Sequence, residues 1–231
     1  MAIEAVLFDF SGTIFRLEDE RFREAELTHA DGRDLSAHEV ADIVRAMTAP
    51  VEQFVELDAE GQHAWENRDL DPALHRAAYL QVLERSGVPS FPARQLYELI
   101  LDPLAWTPYP DTGEVLRALH ERGIRIAVVS NIAFDLRPAL ASRGWDRYIG
   151  YFALSFELGA IKPDRRIFDA ALERLGVAPE NALMVGDSVE ADGGATALGC
   201  EFELVEPLPT WDRPTALREV LAKHDLIDRP A

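Results

Sequence analysis

The chain has 231 residues, a net charge of −18 and a single cysteine, Cys200. Its length suits one large domain or a core with a modest insertion, and its ordinary apolar content allows a sizeable buried core. So acidic a surface repels nucleic acid and anionic membranes, a lone cysteine excludes an internal disulfide, and no apolar run approaches the ~18 residues of a membrane span.

The N-terminus has no basic flank, and Glu4 interrupts its first apolar stretch, so no signal peptide is expected. A cytoplasmic protein with no nucleic-acid or membrane partner is the expectation, with oligomeric state open. Residues 3–8, "IEAVLF", read as a short buried strand that ends on Asp9 and breaks into the small-residue loop Ser11-Gly12-Thr13. From residue 16 to about 106 the pattern is helical without strong strands. "SAHEVADIVRAM" opens with Ser36 and Glu39 at capping-box spacing. "DPALHRAAYLQVLERSG" has Asp71 as cap, Pro72 in the first turn and Gly87 as stop. "FPARQLYELIL" supplies a further helix.

Beyond residue 107 strands and helices alternate. "DTGEVLRALHERG" places Val115, Leu116 and Leu119 on one face and stops at Gly123. The apolar strand "IRIAVV" (124–129) follows and leads into Ser130 and Asn131. "DRRIFDAALERLG" has Asp164 to cap and Gly176 after its end, with Lys162 just before it. "ALMV" (182–185) leads into "GDSVEAD", which carries Asp187 and Asp192. "EFELV" (201–205) reads as a last strand and "PTALREVLAKHDLI" as a last helix. Such alternation predicts an α/β fold: a Rossmann-like parallel sheet with helices on both faces, in 1–15 and 107–231, plus an inserted all-helical cap, 16–106. Cys200, among apolar residues, reads as a buried structural thiol.

In a parallel sheet the carboxyl ends of the strands share one edge, where ligands bind. Asp9, Asp187, Asp192, Ser130, Asn131 and Lys162 would then meet there. Taken singly, each is a turn residue, a helix cap or a solvated cation. Together they have a chemistry. Clustered carboxylates need a counter-ion, and oxygen ligands suit Mg²⁺, which also takes a phosphate oxygen. A hydroxyl, an amide, an ammonium and loop N–H groups near Gly12 suit the phosphate itself. Asp9 is placed to attack phosphorus and form an aspartyl-phosphate, with Lys162 and the metal neutralising charge.

The order "DFSGT", "SN", "KPD", "GDSVEAD" resembles the four motifs of the haloacid dehalogenase superfamily, most of whose members are Mg²⁺-dependent phosphatases. The resemblance covers residues 3–15 and about 107–205, and the inserted helices match the family's cap in position and helicity. It implies that Asp9 is the nucleophile and a Mg²⁺ ligand, the backbone carbonyl of Ser11 a second ligand and Asp187 a third, with Asp192 supporting the metal. It implies that Ser130 and Lys162 hold the phosphoryl group of a small phosphorylated substrate, that Asn131, Gly12 and Thr13 shape the loops around it, and that Lys162 orients Asp9.

One position departs from the pattern. Family phosphatases usually carry an acid two residues after the nucleophile, where this chain has Ser11. Serine still offers a carbonyl to the metal but cannot act as a general acid near neutral pH, a role worth about 10²–10⁴-fold. Four readings stay open: a phosphatase with an activated leaving group or an acid from elsewhere, such as His29, His38, His63 or His75; another family reaction, such as 2-haloacid dehalogenation; a catalytically impaired protein that binds a phosphorylated ligand or partner; or a scaffold without chemistry. A phosphonate hydrolase is disfavoured, because residues 16–106 contain no lysine for its Schiff base. Trp65, Arg16 and Arg68 are candidates for contact with substrate, set against ordinary packing and surface roles.

Overall fold

The computed structural model describes residues 2–18, 27–29, 31–36, 38–39, 56–85 and 87–228. Strand β1 (Ala5–Phe8) is buried along its whole length, as expected of a run apolar on both faces. It lies at the centre of a five-stranded sheet ordered β5 (Tyr151–Leu154), β4 (Arg125–Ser130), β1, β6 (Ala182–Gly186), β7 (Glu201–Leu204). Every pairing in that sheet is parallel. The register sets Phe8 beside Val128 and Val185, so the three central strands end level with one another.

Side-chain alternation divides β1 between two cores. Val6 and Phe8 pack with Val115, Leu116 and Leu119 of one helix (Thr112–Glu121) and Leu217 and Leu221 of another (Ala216–Lys223). Ala5 and Leu7 pack with Ile167, Phe168, Ala171 and Leu172 of the helix Arg165–Leu175. Helices therefore cover both faces, in agreement with the predicted α/β architecture. The Arg165–Leu175 helix begins where Asp164 accepts from Arg166 N–H and ends where Gly176 turns left-handed at φ 66°. Cys200 is buried in the second core.

Between β2 (Phe15–Arg16) and β3 (Thr107–Pro108) the described residues form α1 (Ala59–Glu66), α2 (Pro72–Arg85) and α3 (Ser90–Leu101). These helices have an apolar cluster of their own, with Leu83, Ala93, Leu96 and Ile100 at its centre. The reciprocal Ser36 and Glu39 bonds of the expected capping box are present; the rest of that helix lies outside the described residues. β2 and β3 pair antiparallel, Phe15 with Pro108 and Arg16 with Thr107. The chain thus leaves and rejoins the sheet layer at neighbouring points. No described helix is long and apolar enough to cross a membrane.

Candidate active site

Asp9 follows β1 directly, and its N–H donates to the Val185 carbonyl, so it extends the sheet by one residue. Ser130 is the last residue of β4, and Asp187 follows β6. Level strand ends bring these residues to one edge. Lys162 arrives from the loop ahead of the Arg165–Leu175 helix, and its ammonium donates to Asp9 Oδ1 and Asp192 Oδ1, both at 2.6 Å. All three of these side chains are buried. Asp9, Asp187 and Asp192 each offer an oxygen within 4.8 Å of the others.

Burial and that concentration of charge act together on the group at its centre. Burial raises the Asp9 pKa to about 7, against the pull of Lys162 and with the added push of Asp192 and Asp187. Burial, then Asp192, raises Asp187 as well. Three carboxylates around one ammonium leave room for a divalent cation, and all their free donors are oxygens, which suits Mg²⁺. The residues present fit that ion.

Two buried hydroxyls, Ser130 Oγ and Thr13 Oγ1, find no hydrogen-bond partner among the described residues. Buried hydroxyls are normally satisfied, so these are donors available to a ligand. Ser11, expected as a carbonyl ligand, is exposed on the loop. Asn131 uses its amide differently: Oδ1 accepts from Lys162 N–H at 2.7 Å and Nδ2 donates to the Lys162 carbonyl at 3.2 Å. It thus fixes the backbone that delivers the ammonium. Asp192 also orients others, with Oδ1 on Lys162 and Oδ2 accepting from Ser188 N–H at 3.0 Å.

The loops tolerate only small residues where the carboxylates pass. Gly12 turns at φ 75°, and a Cβ there would lie 2.2 Å from Asp187 Oδ2. A Cβ on Gly186 would lie 2.1 Å from Asp192 Oδ2. The second of these glycines carried no signal in the sequence beyond its place before Asp187. Nor did Arg213, which is buried and donates to the carbonyls of Gly12 (2.6 Å) and Thr13, pinning the first loop from two hundred residues away. Such a contact has no local pattern to reveal it.

The histidines set against the gap at Ser11 have partners of their own. His75 is buried against Tyr97 Oη at 2.9 Å. His29 meets Glu39 at 3.1 Å, and His63 lies 3.3 Å from the Asn67 amide. His38 is exposed. Trp65 is half-buried beneath the Arg68 guanidinium, 4.2 Å above its ring, and Arg16 donates to the Pro207 carbonyl.

A profile of the haloacid dehalogenase-like hydrolases matches residues 3–198. The chain belongs to that family. This haloacid dehalogenase-like hydrolase is 34% identical over 149 residues to the mouse (Mus musculus) haloacid dehalogenase-like hydrolase domain-containing protein 3, covering 61% of this chain and 59% of that one. It is 35% identical over 116 residues to a phosphoserine phosphatase of Thermus thermophilus, covering 49% and 47%. The hydrolase therefore spans about half to three-fifths of the length of these relatives. The L-2-haloacid dehalogenase of Xanthobacter autotrophicus shares its fold, with a TM-score of 0.62 at 23% identity over 95% of this chain and 83% of that one.

Proposed function

We propose that this hydrolase is a Mg²⁺-dependent phosphatase that acts on a small phosphorylated metabolite through an aspartyl-phosphate on Asp9. The observation that carries the reading is the placement of Asp9, held at 2.6 Å by the Lys162 ammonium inside a cluster of three carboxylates. Relatives named as phosphatases support it. The cluster also weighs against a 2-haloacid dehalogenase, whose attack on carbon needs no cation to balance three acids.

In this reading Asp9, Asp187 and the Ser11 carbonyl hold Mg²⁺, with Asp192 in support. The bound ion supplies charge neutralisation for the transferring phosphoryl group. Lys162 orients Asp9 in line with phosphorus and holds a phosphoryl oxygen. Ser130 Oγ and Thr13 Oγ1 supply hydrogen bonds that the described residues leave unmade. Asn131 keeps the Lys162 backbone in place, and Arg213 holds the Gly12 and Thr13 carbonyls and with them the shape of the first loop. The inserted helices between Arg16 and Thr107 act as a cap that excludes water and selects the substrate.

Phosphate release from an aryl, an acyl and an alkyl phosphate, with and without Mg²⁺, tests this reading. Turnover should require the cation and vanish in Asp9→Asn. Absence of turnover on all three substrates would favour instead a protein that binds phosphorylated ligands without hydrolysing them, the reading that Ser11 supports.

A further inference from the structure

Phosphoryl transfer to a carboxylate leaves two proton transfers to be accounted for. An alkoxide leaving group must be protonated as its bond to phosphorus breaks. Later a water must lose a proton as it attacks the aspartyl-phosphate. Ser11 can do neither near neutral pH, and His75, His29 and His63 are each held by another side chain.

One carboxylate outside the cluster is brought to the same edge. Asp69 lies in the turn between α1 and α2. Its carbonyl accepts from Ser155 Oγ at 2.5 Å, and that hydroxyl accepts from Ile132 N–H at 2.8 Å. Ile132 follows Asn131, the residue that clamps the Lys162 backbone. Two hydrogen bonds therefore tie the Asp69 main chain to the segment that follows Ser130 at the end of β4, and the Asn131 clamp continues the link to the separate loop that carries Lys162. The Asp69 side chain is only 18% exposed, and its ion-pair contact among the described residues, to Arg68 Nη2, is long at 3.8 Å. Among the described residues no hydrogen bond holds its carboxyl group. A half-buried acid without a hydrogen bond, docked against the core beside the site, has the geometry of a proton donor waiting for a partner.

We propose that Asp69 is the general acid and base of this enzyme, carrying out from the cap the proton transfers that Ser11 cannot. The assignment rests on the phosphatase reading above. In the first step an Asp9 oxygen bonds to phosphorus, the phosphorus–oxygen bond to the leaving group breaks, and the Asp69 carboxyl proton passes to the leaving oxygen to give an alcohol. In the second step a water oxygen attacks phosphorus, its proton passes to the Asp69 carboxylate, and the Asp9–phosphorus bond breaks to release phosphate. Asp9 returns as carboxylate and Asp69 as acid, so the cycle closes. The charges around Asp69 suit both roles. Burial raises its pKa, Arg68 and Lys162 lower it, and Tyr79 and the neutral His75 of α2 lie near Arg68. The net direction is upward, toward the protonated form that a general acid needs.

The decisive comparison is between leaving groups in the full-length Mg²⁺-loaded enzyme and its Asp69→Asn variant. Para-nitrophenyl phosphate needs little protonation on departure, and an alkyl phosphate needs it fully. Asp69→Asn should keep the rapid burst of nitrophenol while lowering alkyl phosphate turnover by about 10²-fold or more. The wild-type decline in alkyl kcat/KM as pH rises through the Asp69 pKa should disappear. Adding Ser11→Asp to Asp69→Asn should restore part of the alkyl turnover, which a misfolded protein would not allow. Equal losses of burst and alkyl turnover, or an unchanged pH profile, would overturn the assignment while leaving the phosphatase reading intact. A wild-type enzyme inert towards every phosphate ester would overturn both.

Discussion

Removal of the Lys162 ammonium would leave Asp9 and Asp192 facing each other in a buried site. Breaking such a buried pair typically costs about 3–5 kcal/mol, because the remaining charges are uncompensated. Lys162→Met should lose stability of that order at pH 8, as read by urea denaturation without added metal. The loss should shrink at pH 5, where Asp9, already raised to about 7 with the lysine present, takes up a proton. Gly12 is a second single-residue dependence. Gly12→Ala combines a left-handed backbone, costing roughly 1–2 kcal/mol, with a Cβ 2.2 Å from Asp187 Oδ2. It should weaken Mg²⁺ binding at least tenfold by calorimetry, since Asp187 must move. Of the site, Asp9, Lys162, Ser130, Asp187 and Asp192 were legible in the sequence because each follows an apolar run or precedes a capped helix. Arg213 and Gly186 were not. Arg213 acts across two hundred residues and Gly186 through the room it leaves for Asp192, and nothing in their neighbours distinguishes them from a surface arginine and an ordinary turn.

At the level of elements, the strands most easily read were those at the centre of the sheet. β1, β4 and β6 are continuous apolar runs because both of their faces are covered. β5 was missed. Its Tyr151–Leu154 run is short, half-exposed at its start and merges without a turn into the four-residue helix Ser155–Leu158, so no local boundary marks it. Helix α2 offers a pH-dependent test of its own. Burial depresses the His75 pKa from 6.5 to about 4. The unfolded chain therefore binds more protons between these values, and stability must rise with pH across that window. Acidification from pH 6.5 to 4 should cost up to roughly 3 kcal/mol through this group. His75→Gln should flatten that part of the stability profile, measured by denaturant melts at successive pH values.

Over the whole molecule, a charge of −18 opposes the approach of any phosphate dianion. Salt screens that repulsion over about 10 Å at 0.1 M. At saturating Mg²⁺, kcat/KM for a dianionic ester should therefore rise several-fold between about 10 and 150 mM salt. An unchanged or falling value would mean that the Lys162 end of the sheet dominates the field that the substrate meets. The β2–β3 ribbon has a different consequence. Arg16 and Thr107 are cross-strand partners, about 5 Å apart, a gap that a two-residue Asn-Gly turn can bridge. Replacing residues 17–106 by such a turn would leave the neighbours of every strand in the main sheet unchanged, while removing Trp106 from its place against Phe10 in the Val6 and Phe8 core. The excised protein should still fold, and with Asp69 gone it should keep only a burst of product from esters whose leaving groups depart unaided, followed by slow turnover.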